Sequence, residues 1–447
     1  MPDALSFLLE TDFDDLPSDV IEQTETCLVD LVAVAAAATR LPNAQVFNRF
    51  AQRRHPVAAD DHPSRFFFAG GEASASGAAF ANASTIDSLD AHDGHPLVQG
   101  HVGCSVLPAL LAIIESLEPE RRPDGQTFLT LLAIGYEVGT RLGMAQHATQ
   151  PTYHSSGSWN AVTCAGLAAR LLGVTPEKTV HALGCAEYFG PIAPMIPEVE
   201  RPTYRRDSSG WGALVGIDSA LMAAADYIGG PALLIENNPD SLWDDLSQRW
   251  RIREQYFKPY PVCRWAQGPI EAAFEIRNQA DFDPARITRI ENQTFEMATH
   301  LSHGVPTASE GAQYGLSWPI AVALIKGKVE PDEVMPEALQ DPQTCRLAAL
   351  VESISDDIFT QKFPKERWAR LVVTLDDGTV LTSFPHKPTG DPDCPIGSDG
   401  LEAKYTRYTM PVIGEAKSKS LRDEISRLSE PGQSLEPFLT QVFTAAN

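Results

Sequence analysis

The sequence predicts a mainly α-helical protein with two domains. Both ends of the chain, residues 1–265 and 396–447, form a large helical domain, and a smaller α+β domain, residues 266–395, is inserted between them. Three observations favour this division: helical spacing of apolar residues before residue 260, strand alternation only after residue 285, and a return of helical spacing near the C-terminus. The 447 residues are enough for more than one domain.

The N-terminal helices are marked by their starting residues and by their apolar spacing. Ser18, directly after Pro17, is a suitable N-cap for the first long helix. Apolar positions then recur every three or four residues, at Val20, Thr24, Cys27, Leu31 and Ala35. A second helix is predicted to start at Thr175, where a cap residue precedes a proline and an acid.

A stripe of glycines predicts close packing between helices. Gly135, Gly139 and Gly143 recur every four residues, so they share one face of a helix and let a neighbouring helix approach. Residues 155–172, which are rich in Ala, Leu and Gly, are predicted as a helix that stops at Gly173.

The inserted domain is predicted from strand and turn signals. Residues 285–294 are predicted as a strand, and residues 370–384 as a hairpin, because apolar residues alternate on both sides of an Asp-Gly turn at 377. Residues 385–400 are rich in Pro and Gly, which is typical of a linker. Helical spacing returns at residues 417–428.

The composition is that of an acidic globular protein. The chain has 35 Lys and Arg residues against 59 Asp and Glu residues, a net charge of −24, and 43% of its residues are hydrophobic. This excess of negative charge argues against nucleic acid or an anionic membrane as a partner.

The seven cysteines include no CxxC pair, so no disulfide framework is expected. We expect a cytoplasmic location, because the N-terminal region is acidic and no apolar stretch reaches the ~18 residues of a membrane span.

Sequence motifs for cofactors give no support to a nucleotide-driven or zinc-hydrolase mechanism. The chain has no Walker A motif, no HExxH motif and no EF-hand loop. The glycines between residues 210 and 216 have the wrong spacing for a dinucleotide-binding loop.

Residues 87–101 hold the densest group of ionisable side chains. The group consists of Asp87, Asp90, His92, Asp93, His95 and His101. An acid–base site is the favoured interpretation, because a carboxylate orients a nearby histidine and histidine titrates near neutral pH. Two alternatives stay open: a solvated loop, and a metal site whose ligands would be His92, Asp93, His95 and His101.

Two groups of basic residues stand out in this acidic chain. The first is Arg201, Arg205 and Arg206, and the second is Arg251, Arg253, Lys258 and Arg264. Arginine binds carboxylates through two parallel hydrogen bonds, so either group suits an anionic ligand. The alternative is surface arginine paired with nearby acids such as Glu198 and Asp207.

His154 is a further candidate for proton transfer. It lies just before the helix predicted at residues 155–172. The positive end of the helix dipole favours a neutral imidazole there, which can accept a proton. A capping or packing role is the alternative.

Five segments, in this order along the chain, carry a resemblance to a known family. The first segment contains Asn82, Asp90 and His101 and ends at Leu107-Pro108-Ala109. The other four are His154 with the helix that follows it, residues 205–216, Phe257–Pro261, and the stretch that begins Ala312-Gln313-Tyr314. On these residues the sequence resembles the MmgE/PrpD family, which includes 2-methylcitrate dehydratase, cis-aconitate decarboxylase and iminodisuccinate epimerase. The resemblance covers nearly the whole chain.

The resemblance implies a large helical domain with a smaller α+β lid, a homodimer, and an active site between the domains that needs no metal or organic cofactor. It assigns catalytic roles to Asp90, His101, His154 and Lys258. Four positions depart from the family pattern. Arg205 stands for a catalytic lysine, Trp318 for a tyrosine, Gln267 for a histidine and Gly94 for a threonine. Because arginine does not release a proton and tryptophan is not an acid, these departures disfavour decarboxylation.

The hypothesis from the sequence is a cofactor-independent acid–base enzyme that acts on a small di- or tricarboxylic acid through a carboxylate-stabilised carbanion. A hydro-lyase resembling 2-methylcitrate dehydratase is the first interpretation. The alternatives are an epimerase of an iminodisuccinate-like acid, a decarboxylase of a cis-aconitate-like acid, and a carboxylate-binding protein that has lost catalysis. His101 and His154 are predicted to transfer protons, with Asp90 orienting one of them. Substrate contacts are predicted for Arg205, Arg206, Trp318, His95 and Asp93.

Overall fold

The computed structural model describes residues 2–150 and 152–446, and within them the chain is mainly helical. The helices up to residue 260 are α1 (Pro2–Glu10), α2 (Ser18–Ala38), α3 (Pro42–Arg54), α4 (Ala75–Asp87), α5 (Gly103–Ser116), α6 (Gly125–Thr149), α7 (Gly157–Leu172), α8 (Pro176–Phe189), α9 (Ile196–Glu200), α10 (Ser209–Ala224) and α11 (Leu233–Glu236). The later helices are α12 (Arg264–Arg277), α13 (Ser309–Tyr314), α14 (Ser317–Lys326), α15 (Pro342–Ala348), α16 (Asp357–Lys362), α17 (Gly397–Ile413), α18 (Glu415–Arg427) and α19 (Glu436–Phe443).

The strands form two small sheets. They are β1 (Ser64–Arg65), β2 (Glu72–Ala73), β3 (Ile287–Thr294), β4 (Val351–Ser355), β5 (Ala369–Leu375) and β6 (Val380–Thr382). β1 and β2 pair as a short antiparallel ribbon inside the helical part, and the other four form one sheet in the order β4-β3-β5-β6.

The core of the helical part is built around α2. From Cys27 to Ala38 every residue of this helix is buried, as expected for a helix that is apolar on all sides. Ser18 is its first helical residue rather than its cap, because Pro17 takes the cap position and no side chain caps this end. The C-terminal helices α17 and α18 both pack against α2, so the end of the chain returns to its beginning. The domain boundaries at residues 265 and 395 stay a prediction.

The glycine stripe on α6 allows close packing, as predicted. A Cβ atom at Gly135 would lie 2.5 Å from a methyl group of Val106, on α5, and one at Gly139 would lie 2.7 Å from a methyl group of Val102. A Cβ at Gly143 would come within 3.1 Å of the indole nitrogen of Trp159, on α7. Since no carbon atom fits at these distances, only glycine lets α5 and α7 approach α6 this closely.

The sheet of the inserted segment confirms the strand predictions. β3 pairs in parallel with β4 and antiparallel with β5, and β5 pairs with β6 through a hairpin in which Val373 lies opposite Leu381. Side chains of β5 alternate between buried and half-buried positions. Gly378 takes φ +87° in the hairpin turn, a left-handed conformation that glycine adopts without strain. The helices α12 and α14 pack together, and α12 also lies against β5.

The helical predictions around residues 155–173 and 417–428 are also confirmed. The first is α7, which ends at Gly173 with φ +74°, and the second is α18. Among residues 2–150 and 152–446, no single helix is long and apolar enough to cross a membrane. α2 and α3 meet the combined requirement of length and composition only as a pair, which is bent by 93° at its junction.

Candidate active site

A closed pocket lies where loops of the helical core meet the inserted segment. Its ionisable lining residues are Asp90, His101, Tyr153, Asp207, Tyr256, Lys258, Cys263, Arg264, Tyr314 and Arg367. Most of them stand in loops between helices, whereas Arg264 begins α12, Tyr314 ends α13, and Arg367 lies just before β5. The free volume is about 40 Å³, close to the ~30 Å³ that one water molecule occupies in the liquid. The pocket must therefore open to admit an organic acid.

Asp90 and Lys258 form a buried ion pair in this pocket. The Lys258 ammonium contacts the Asp90 carboxylate and also donates to the Asp90 carbonyl oxygen at 3.3 Å. The Asp90 amide donates to the side-chain oxygen of Gln313 at 2.8 Å, which fixes the loop. Burial alone would raise the pKa of Asp90, but the charge of the Lys258 ammonium lowers it well below its ordinary value. Asp90 is therefore a carboxylate and keeps the ammonium group in place.

His101 has the geometry of a general base. Its Nδ1 lies 2.5 Å from the carbonyl oxygen of Asp93. Because a carbonyl only accepts hydrogen bonds, Nδ1 carries the proton and Nε2 keeps a free lone pair. Burial, with the neighbouring His92 and Lys258, lowers the pKa of His101 to about 3, so the imidazole is neutral. Asp90, which the sequence predicts to orient a histidine, is paired with Lys258, and the oxygen that orients His101 is the backbone carbonyl of Asp93.

His92 lies behind His101 and is also neutral. The two rings meet edge to face with centroids 4.3 Å apart. His92 is fully buried, and its Nε2 lies 3.7 Å from a carboxylate oxygen of Asp87. Burial, together with Lys258, lowers the pKa of His92 to about 3. Two adjacent neutral imidazoles therefore take the place of the single histidine–carboxylate pair expected from the sequence.

The side chain of Asp93 is buried on the other side of this loop. It does not line the pocket, and neither of its carboxylate oxygens makes a hydrogen bond of good geometry within the described chain. Burial and the nearby charge of Asp30 raise the pKa of Asp93 to about 7. Asp30 itself is paired with Lys404 of α17, whose ammonium also donates to the Ala91 carbonyl oxygen at 2.6 Å. The C-terminal helices thus support the loop that carries the histidines.

Three ligand atoms in the pocket are close enough for a cation, but their surroundings oppose one. The atoms of Asp90, His92 and His101 lie within 4.8 Å of one another. The Lys258 ammonium in contact with Asp90 would repel a divalent ion bound there. His95, which the sequence offers as a metal ligand or a substrate contact, instead places its Nε2 3.2 Å from a carboxylate oxygen of Glu254. The residues therefore fit a metal poorly.

Arg206 is buried beside the pocket, and its side chain makes no hydrogen bond to a described residue. Its guanidinium carbon lies 5.2 Å from the ring centroid of Tyr314, and its three side-chain nitrogens have no hydrogen-bond partner among the described residues. A carboxylate oxygen of Glu310 lies 3.8 Å away. Arg206 has φ +44°, a conformation that costs a non-glycine residue of the order of 1–3 kcal/mol.

The other predicted residues lie outside the pocket. His154 is buried one residue from Tyr153, with Nε2 3.1 Å from the Thr152 hydroxyl, and its Nδ1 has no partner within the described chain. Arg205 is two-thirds exposed, pairs with Glu198 at 2.7 Å and lines a separate surface cavity of about 670 Å³. Trp318 is buried in α14, where its indole N–H donates to the Glu333 carbonyl oxygen at 2.8 Å.

The sequence analysis missed several pocket residues that had signals. Tyr256 directly precedes the Phe257–Pro261 motif, and Tyr314 is the third residue of the Ala-Gln-Tyr motif. Arg264 belongs to the second basic group, and its guanidinium stacks 4.3 Å from the Tyr256 ring centroid. Arg367 had no distinguishing sequence signal, because it lies among other basic residues such as Lys365 and Arg370 and outside the motifs.

A neutral histidine with a free lone pair, a buried ammonium–carboxylate pair and unpaired arginine nitrogens together define a site for proton transfer on an anion. Residues 4–249 match the model of the MmgE/PrpD N-terminal domain, and residues 260–430 match that of the MmgE/PrpD C-terminal domain. The chain belongs to the MmgE/PrpD family.

Two fungal proteins are similar to the chain along most of its length. The chain is 23% identical to the "Cis-aconitate decarboxylase-like protein oryM" of Aspergillus oryzae, in an alignment of 452 positions that covers 93% of this chain and 91% of that protein. It is also 23% identical to the "Cis-aconitate decarboxylase" of Aspergillus terreus, in an alignment of 445 positions that covers 92% of this chain and 89% of that protein. At this identity the similarity indicates an acid–base enzyme of the family without specifying its reaction.

Proposed function

We propose that this protein is a lyase that acts on a small di- or tricarboxylic acid without a metal or an organic cofactor. The observation that carries the proposal is His101, a buried neutral base held by the Asp93 carbonyl next to the Asp90–Lys258 pair. A base of this kind removes a proton from the carbon next to a carboxylate. The carbanion charge then spreads onto that carboxylate, where Lys258 and Arg206 stabilise it.

The low basicity of His101 in the closed pocket supports this proposal rather than opposing it. Its pKa of about 3 has two causes, burial and the positive charge of Lys258 with the neighbouring His92. A substrate with two or three carboxylates brings negative charge into the same space, and an opposite charge within ~4–6 Å raises the pKa of a histidine. The base therefore becomes effective only when the acid is bound.

Dehydration is the first reaction we propose. His101 takes the proton from carbon, the bond from the neighbouring carbon to its hydroxyl breaks, and the hydroxide leaves as water after it gains a proton. Lys258 and the hydroxyls of Tyr256 and Tyr314 are the proton donors that line the pocket. His154 is proposed as the second proton-transfer residue, and its unpartnered, buried Nδ1 beside Tyr153 supports that role.

Decarboxylation of a cis-aconitate-like acid is the second candidate, and the names of the fungal relatives favour it. Loss of carbon dioxide leaves a carbanion on the carbon that carried the lost carboxylate, and a proton donor then protonates that carbon. Arg205 and Trp318 disfavour this reaction in the sequence, but both side chains lie outside the pocket. Epimerisation needs only a proton returned to the opposite face and is distinguished by its product.

The test is a screen of hydroxy, unsaturated and imino di- and tricarboxylates in deuterated water, read by proton NMR. A hydro-lyase gives a new alkene signal, a decarboxylase a product with one carboxylate fewer, and an epimerase a deuterated substrate of inverted configuration. We expect His101→Ala to lower the rate by about 10²–10⁴-fold. The control is His62→Ala, a half-exposed histidine paired with Glu118 far along the sequence from the pocket residues.

A carboxylate-binding protein without turnover is the remaining candidate. The departures at Arg205 and Trp318 motivate it. If the screen shows tight binding of an acid but no deuterium uptake and no product, this candidate replaces the lyase. Elemental analysis of the active protein checks the metal-free mechanism, since one tightly bound ion per chain would contradict it.

We also propose that the protein is a homodimer, as the family resemblance implies. Apolar side chains around the end of α8 support this, since Tyr188 is 81% and Ile228 80% exposed and exposed apolar groups of this kind mark interaction surfaces. Sedimentation equilibrium should give a dimer for the wild type and a monomer for Ile228→Asp. Ile358→Asp, at a comparably exposed position on α16, is the control and should stay dimeric.

A further inference from the structure

Arg367 is a buried cation that lacks a counter-ion of its own. It lies just before β5, lines the pocket and is 5% exposed. The guanidinium makes one hydrogen bond within the described chain, from Nη2 to the Pro96 carbonyl oxygen at 3.2 Å, and its Nε has no partner. The carboxylate that attracts it, Asp391, is already in an ion pair with Arg264.

Such an arrangement is costly unless an anion completes it. Buried charges in proteins are normally paired, and an unpaired guanidinium loses its hydration without compensation. The stacking of Arg367 on the Phe363 ring, at 5.7 Å, and its single bond to Pro96 satisfy only a small part of its five donors. Arg367 lines the pocket, so an anion bound there is the partner that its guanidinium lacks.

Arg367 lies in a different part of the pocket from the basic groups near His101. Arg367 contacts the Pro96 carbonyl oxygen and the Phe363 ring. His101 instead contacts the Asp93 carbonyl oxygen and the His92 ring. A carboxylate bound by Arg367 is therefore not the one next to the carbon that His101 deprotonates.

We propose that Arg367 binds a second, remote carboxylate of the substrate and so restricts the enzyme to acids with at least two carboxylates. This inference rests on the proposed function and adds the residue that determines specificity. Arg264, which stacks on Tyr256 beside it, forms the same end of the site. Because Arg367 comes from the inserted segment and donates to a carbonyl of the histidine-rich loop, binding of the remote carboxylate also holds the pocket closed.

The test uses three probes of graded charge: tricarballylate with three carboxylates, glutarate with two and butyrate with one. Their affinities for the full chain are measured by isothermal titration calorimetry. For the wild type, we expect tricarballylate and glutarate to bind at least tenfold more tightly than butyrate. Arg367→Met should weaken the first two by about 10–100-fold, the usual loss for hydrogen bonds to a charged group, and leave butyrate unchanged.

The melting temperature distinguishes a ligand-binding role from a structural one. An unpaired buried cation destabilises the ligand-free protein, so Arg367→Met should melt no lower than the wild type without ligand, and its melting temperature should rise less with tricarballylate. Arg367→Lys keeps the charge but loses the planar fork, so its tricarballylate affinity should fall between the two. A lower melting temperature for Arg367→Met, with equal weakening of all three probes, would assign Arg367 to the fold alone and overturn the inference.

Failure of the inference and failure of the proposed function give different results. Suppose that Arg367→Met binds tricarballylate as tightly as the wild type does, while His101→Ala abolishes deuterium uptake. The proposed enzyme activity is then supported, and the proposed role of Arg367 is rejected. Suppose instead that the wild type shows the graded affinities but catalyses no deuterium uptake into any acid. Arg367 is then supported as a carboxylate-binding residue, and the proposed lyase activity is rejected. For an active enzyme, Arg367→Met should raise KM for a diacid much more than it lowers kcat.

Discussion

Arg141 and Arg206 are both buried arginines, but they differ in whether their side-chain donors make hydrogen bonds. Arg141, on α6, donates to Glu137 at 2.8 Å and to the Arg249 carbonyl oxygen at 2.8 Å, and it contacts Asp245 as well. Arg206 makes no side-chain hydrogen bond to any described residue. The comparison shows that burial alone does not reveal why a charge is present; the state of its donors does.

The two regions also differ in their backbone. Arg141 lies within a regular helix, whereas Arg206 and Ser208 have φ +44° and +57° in the turn before α10. Left-handed conformations cost non-glycine residues about 1–3 kcal/mol each and persist mainly where function requires them. The loop that contacts Arg141 also holds left-handed residues, Asp240 and Ser247 among them, so the unpaired donors rather than the backbone strain distinguish Arg206.

The largest effect, on the free energy of unfolding, is expected from breaking the hydrogen-bonded ion pairs of Arg141. Arg141→Met leaves the buried Glu137 carboxylate without its ion pair, so the free energy of unfolding should fall by about 3–5 kcal/mol, measured by urea denaturation. Adding Glu137→Gln removes the unpaired charge while keeping an acceptor for the Arg251 amide, 2.5 Å away, and should restore much of the loss. A drop below about 1 kcal/mol for the single variant would show that the network contributes little.

Arg206→Met should affect activity more than stability. Because its side-chain nitrogens make no hydrogen bond to a described residue and lose only the 3.8 Å contact with a Glu310 carboxylate oxygen, the free energy of unfolding should fall by less than in Arg141→Met. The value of kcat/KM for the substrate should fall by about 10–100-fold, as expected when hydrogen bonds to a charged group are removed. If Arg206→Met instead unfolds the protein as readily as Arg141→Met does, Arg206 is a structural residue and the comparison fails.

Much of the fold could be predicted from the sequence, because apolar periodicity reports local burial. The α2 spacing, the end of α7 at Gly173 and the hairpin around Gly378 all follow from residues within one element. The Ser18 cap was misplaced by one residue, since spacing alone does not say whether a serine or the proline before it takes the cap position.

The site was predicted less completely, because it depends on contacts between distant segments. The cluster at residues 87–101 was visible as a local density of ionisable groups, and Lys258 as part of a motif. Sequence spacing could not show that Asp90 pairs with Lys258, 168 positions away, or that a backbone carbonyl orients His101. The sequence analysis also predicted substrate contacts for both Arg205 and Arg206, although Arg205 is exposed and Arg206 is buried.

The pH dependence of stability sharpens the comparison further. Burial and Lys258 hold the pKa of His92 at about 3, below the ordinary ~6.5 of an unfolded histidine. Between these values the unfolded chain binds the extra proton, so stability falls as the pH drops from 6.5 toward 3. Relative to the wild type, His92→Gln should flatten the dependence by up to about 1.4 kcal/mol per pH unit, seen in urea unfolding at pH 6.5, 5.5 and 4.5. His62→Gln, half exposed, is the control, and an equal flattening in both variants would contradict the buried origin of the effect.

The smallest effect is expected at Arg205, the neighbour of Arg206. Its side chain is two-thirds exposed and paired with Glu198, and Glu198 keeps other donors, from the Thr203 amide at 2.7 Å and the Arg206 amide at 3.3 Å. Arg205→Ala should therefore change kcat/KM by less than about threefold, the scale of an exposed ion pair. The family resemblance places a catalytic lysine at this position, so a loss above tenfold would mean that the turn at residues 205–208 reorganises in the open enzyme and brings Arg205 to the substrate. A small loss would leave Arg206, the buried residue of the pair, as the cation that this segment supplies.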